Sequence, residues 1–121
     1  MTNPTAFAMV LTGNLATFSQ IQHAAQQHGF GVIWGRDYDS TLSKLPDGSS
    51  VKFLVADLSD DRIDCESIKS KLETNYPTAI TIAFGPHVHE DRLNKAAQAG
   101  FTQVMTRGRF FHILGEIFEP T

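Results

Sequence analysis

The sequence predicts an α/β domain: a five-stranded parallel sheet of order 2-1-3-4-5 with helices on both faces, three layers in all. Three observations predict it. Five short apolar runs alternate with helical or turn-bearing segments along the chain. The connections between them are only a few residues long, and Gly, Pro, Asn and Asp stand at the joints, as in Pro46-Asp47-Gly48 and Gly85-Pro86. Alternation with short connections requires parallel strands and right-handed crossovers. For five strands it favours a doubly wound order whose ligand chemistry lies at the carboxyl ends of the strands.

The elements follow in order. Ala6-Phe7-Ala8-Met9-Val10-Leu11 is a continuous apolar run followed by Thr12-Gly13-Asn14, which reads as a strand buried on both faces. Leu15 to His28 places Leu15, Phe18, Ile21 and Ala25 at helical spacing, with Thr12 or Asn14 as cap and Gly29 beyond the end. Gly31 to Gly35 is a second strand, Asp39 to Leu45 a short helix, and Val51 to Asp57 a third strand ending on a carboxylate. Asp64 to Asn75 is the next helix and Ala79 to Phe84 the fourth strand. A helix over His89 to Ala99 carries Glu90 and Asp91 in its first turn, where the helix dipole favours them. Thr102 to Thr106 is the fifth strand, and Arg109 to Glu119 is expected as one final helix.

Composition limits the function. The 121 residues fit one domain over 1–121, with 41% hydrophobic and 19% charged residues, ordinary for a globular chain. A formal net charge of -3 offers no excess of cations to neutralise a phosphate backbone, so no direct nucleic-acid partner is expected. Cys65 stands alone, which excludes an internal disulfide and fits a reducing compartment. The start, Met1 to Thr5, has no Lys or Arg, and the apolar run after it is too short for a leader or a membrane span. A cytoplasmic protein is expected.

The strand ends bring Thr12, Gly13 and Asn14 together with Gly35, Arg36, Asp57, Phe84, Gly85, Pro86, His87, Thr106 and Arg107. With Asp57 closing the third strand and Gly100-Phe101-Thr102-Gln103-Val104-Met105 leading into the fifth, the chain resembles response-regulator receiver domains of the flavodoxin-like fold. That resemblance implies that Asp57 stands where a receiver keeps its phosphate-accepting aspartate. It also implies two acidic residues at the end of the first strand, which hold Mg²⁺ with the acceptor. Here that stretch is Val10-Leu11-Thr12-Gly13, and no Asp or Glu occurs anywhere before Asp37. The family's Thr or Ser at the end of the fourth strand falls in Ile82-Ala83-Phe84-Gly85, without a hydroxyl, and its Lys-Pro aligns with Arg107-Gly108. Arginine binds anions but does not reproduce an ammonium's geometry.

The expectation is therefore a pseudo-receiver, a protein-interaction module without a Mg²⁺-dependent phosphorylation cycle, needing no metal and no cofactor. Asp57 is then a vestigial acceptor, or simply a strand-end carboxylate capping its loop. The alternative is a binder of an anionic small molecule or nucleotide through Thr12, Gly13, Asn14, Gly85, His87, Arg107 and Arg109. In that reading Thr12-Gly13-Asn14 would act as a short phosphate loop. His87 and His89 lack a third matched metal ligand. No nucleophile elbow or Gly-rich nucleotide fingerprint points to catalysis, so no enzyme is expected.

One surface remains. At about 100° per residue, the apolar residues of the final helix spread over roughly 160°, more than a sheet-facing stripe of about 100° requires. Phe110, Ile113, Ile117 and Phe118 are thus candidates for a homodimer or partner face.

Overall fold

The computed structural model describes residues 4–119. The reading of the Met1-Thr2-Asn3 start as lacking a leader lies outside those residues. The chain runs β1 (Ala6–Leu11), α1 (Leu15–Gln27), β2 (Gly31–Gly35), α2 (Tyr38–Leu42), β3 (Ser50–Asp57), α3 (Cys65–Asn75), β4 (Ile80–Gly85), α4 (Glu90–Gln98), β5 (Gln103–Thr106), α5 (Arg107–His112) and α6 (Leu114–Ile117). All strand pairs are parallel and the order is β2-β1-β3-β4-β5. The expected fold class is the observed one.

The central strands are apolar because both of their faces are covered. In β1, Phe7, Met9 and Leu11 face the layer holding Tyr38, Cys65, Ile68, Leu72 and Ala96 of α2, α3 and α4. Ala8 and Val10 face the opposite layer with Ile21, Ala24 and Ala25 of α1 and Phe110 and Leu114 of α5 and α6. A register shift between Phe7 and Ala8 in the β1–β3 pairing accompanies a slip in β3, where Val51 and Leu54 share one face.

The caps fall where the side chains can serve. Asn14 Oδ1 accepts from Thr17 N at 2.9 Å, and Asp64 Oδ1 accepts from Ser67 N at 3.1 Å. Gly29 (φ 85°) and Gly100 (φ 95°) turn the chain out of α1 and α4 in the left-handed region, which favours glycine.

The end of the chain departs from the expected single helix. The helix breaks at Ile113 (φ -104°, ψ 9°), two residues before Gly115, a residue type that is a poor helix former. Phe110 (0% exposed), before the break, and Phe118 (1% exposed), after it, both lie in the core. This corrects the expectation of an interface for these two residues. The apparent surplus of apolar arc came from assuming unbroken helical geometry. Ile113 and Ile117 are half-buried.

Candidate functional site: the carboxylate at the end of β3

Asp57 is the last residue of β3 and is 3% exposed. A buried carboxylate must be hydrogen-bonded or paired. Here each oxygen has its own donors. Oδ1 accepts from Ser59 N at 3.0 Å and from Ser59 Oγ at 2.5 Å. Oδ2 accepts from Thr12 Oγ1 at 2.8 Å and lies 3.9 Å from Arg107 Nη1.

The donors are themselves held. Thr12 Oγ1 accepts from Asn14 N at 3.1 Å, and the Thr12 carbonyl accepts from Trp34 Nε1 at 2.7 Å. Trp34 in turn stacks on Phe18 of α1, with centroids 4.3 Å apart. Arg107 donates from Nη2 to Thr17 Oγ1 at 2.8 Å, and its guanidinium lies 4.8 Å from the centre of the Phe111 ring. Arg92 of α4 reaches back to the β3–α3 loop, where Nη1 donates to the Leu58 carbonyl at 2.9 Å. Among the described residues, no buried side-chain nitrogen or oxygen lacks a partner.

Other candidate residues stand around this network. Gly13 is crossed by Arg36, because a methyl group there would lie 3.1 Å from Arg36 Nε. Asn14 is occupied in capping α1. Gly85 backs onto Leu58, since a Cβ at Gly85 would lie 3.0 Å from Leu58 Cβ. His87 and Arg109 are exposed, and neither side chain hydrogen-bonds Asp57 or its partners. The structure joins Thr12, Asn14 and Arg107 to Asp57, and leaves His87 and Arg109 apart from it.

Sequence reasoning missed Ser59 and Arg92. Ser59 had a usable signal, because Asp-x-Ser after a strand is the spacing of a side-chain-capped turn. Arg92 had none: its contact spans 34 residues and depends on how α4 packs.

The receiver resemblance implies magnesium, and the residues present do not fit it. Mg²⁺ takes six oxygens in near-octahedral geometry, from one or two carboxylates with waters and phosphate oxygens, and no cationic donor among them. Here Asp57 is surrounded by donors, with the Arg107 cation on the side of Oδ2. Among the described residues, no three His, Cys, Asp or Glu side chains form a cluster able to hold a metal.

The remaining titratable groups near the strand ends have local causes. The Arg62 guanidinium beside Asp60, hydrogen-bonding at 2.9 and 3.0 Å, holds that carboxyl below its usual range. Ser40 does the same for Asp37 at the start of α2. Burial pushes the Cys65 thiol up to about 11, which makes it a poor nucleophile at neutral pH.

Fold and site together define a doubly wound, flavodoxin-like domain with a carboxylate at the end of its third strand. The chain is a receiver-like domain in fold. It is similar to a response regulator from Thermotoga maritima at 16% identity and a TM-score of 0.66, over 93% of this chain and 99% of that one. It is similar to the phosphorylated cyanobacterial phytochrome response regulator RcpA at 14% identity and 0.70, over 94% and 91%. A CheY-like receiver domain protein from Methanospirillum hungatei matches at 12% identity and 0.64, over 93% and 95%. At these identities the likeness is one of fold. No protein-family model matches the sequence, and no curated protein does. No helix among the described residues is long and apolar enough to cross a membrane.

Proposed function

We propose that this domain is a pseudo-receiver, a cytoplasmic protein-interaction module in signalling that runs no Mg²⁺-dependent phosphorylation cycle and is not an enzyme. One observation carries the reading. Thr12, in the stretch where receivers place their acidic pair, donates a 2.8 Å hydrogen bond to the carboxylate it would otherwise help to charge with metal. The altered surroundings agree, with Gly85 bringing no hydroxyl and Arg107 replacing a lysine.

The alternative of an anionic ligand at the strand ends has less support. Thr12 and Asn14 already serve internal hydrogen bonds, and Arg107 faces a buried carboxylate. An incoming anion would have to share that cation with Asp57.

The test is incubation with Mg²⁺ and a small phosphodonor, read by intact mass. The expected result is an unchanged mass. A stable gain of one phosphoryl group on Asp57 overturns the reading.

A further inference from the structure

The break at Ile113 creates a groove at the end of the sheet opposite Asp57. Phe118, turned inward, packs edge-on against Phe53 at 4.9 Å, and Phe30 meets Phe53 at 5.2 Å. These rings form the floor. Ile80, at the start of β4, and Ile113 and Ile117 form half-buried walls around about 370 Å³. Glu116 and Glu119 stand exposed at the lip, and among the described residues no Lys, Arg or His lines the groove. An apolar floor with an acidic, cation-free rim selects its occupant in two ways. The floor takes up an apolar side chain, and the rim attracts positive charge while repelling negative charge.

We propose that this groove docks a segment of a partner protein that presents an apolar side chain beside a lysine or arginine. The inference rests on the reading of the domain as an interaction module, but not on the state of Asp57. The apolar anchor displaces water from over the half-buried Phe30, Ile80 and Ile117, and the neighbouring cation lies between the two carboxylates at the rim. Such rim charges govern encounter rate and salt dependence, and the anchor governs residence.

The experiment is selection of a displayed random-peptide library on the full chain, followed by fluorescence anisotropy of the enriched peptides. Enriched peptides should pair an apolar residue with a nearby Lys or Arg. They should bind roughly tenfold more weakly to the variant carrying Glu116→Lys and Glu119→Lys. Both glutamates are exposed, and the paired Glu→Gln variant gives a second measure should the lysine pair unfold the end of the chain. In wild type, raised salt should weaken binding.

No enrichment, or peptides whose affinity ignores both variants, overturns the proposal. So does a concentration-dependent dimer abolished by the same substitutions, which would make a second copy the occupant. The phosphodonor experiment is independent. A phosphorylated Asp57 with a working groove defeats only the pseudo-receiver reading, and an unmodified Asp57 with an inert groove defeats only this one.

Discussion

The hydroxyl of Thr12 and the carboxylate of Asp57, 45 residues apart in the chain, meet at 2.8 Å beneath the end of the sheet. The bond connects the loop after β1 to the end of β3 and supplies Asp57 Oδ2 with its hydroxyl donor. Thr12→Val keeps the shape and removes that donor. The expected loss is about 1–3 kcal/mol, the penalty for an under-satisfied buried polar group. Chemical denaturation measures it, and Thr12→Ser should retain most of the stability.

Placing a charge at the same position should create a need for metal. Thr12→Asp puts a second carboxylate against Asp57, and like charges in a buried site repel. Without a divalent cation the variant should lose about 3–5 kcal/mol, as expected of an uncompensated buried charge. Mg²⁺ should raise the Tm of the variant and leave that of the wild type unchanged. A thermal shift titration distinguishes the two.

A hydroxyl side chain does not fit freely at the end of β4. Gly85→Ser places Cβ 3.0 Å from Leu58 Cβ, tighter than ordinary packing contacts. The expected loss is about 1–3 kcal/mol from overpacking. Combining it with Leu58→Ala should show a favourable coupling in a double-mutant cycle, because the smaller side chain removes the collision.

The two residues removed from the candidate interface should behave as core. Phe118→Ala should cost about 3–5 kcal/mol, in the range for a buried phenylalanine. Ile117→Ala, at a half-buried position, should cost roughly half as much or less. Denaturation midpoints compare them directly.

Cys65 gives a pH dependence with a defined sign. Burial raises its thiol from 9.0 to about 11, with Asp64 adding to the rise. Between those values the unfolded chain has lost the thiol proton and the folded chain keeps it. The folded state therefore loses stability as pH rises through that window. Cys65→Ala should remove this part of the slope. In the wild type, alkylation should stay slow near neutral pH and accelerate toward pH 11.

Much of the fold was legible because its signals are local. Ala6 to Leu11 is apolar throughout because a central parallel strand is covered on both faces. Asn14 and Gly29 mark the limits of α1 because capping and left-handed turns depend on the residue itself. The absence of carboxylates before Asp37 likewise needs no coordinates. What the chain order could not supply were contacts made across the sheet. The groups around Asp57 come from the loop after β1, the start of α5 and its own loop, and Arg92 arrives from α4. The final helix shows the same division. Its residues have a helical pattern, but whether Phe118 faces solvent or Phe53 depends on a break at Ile113. By itself the sequence determined the strand and helix order and the absence of any carboxylate before Asp37, since both follow from residue identity and short-range geometry. Only the tertiary structure decided that Thr12 caps Asp57 and that Phe110 and Phe118 are interior. Hydrogen bonding and burial are set by which distant segments the fold brings into contact.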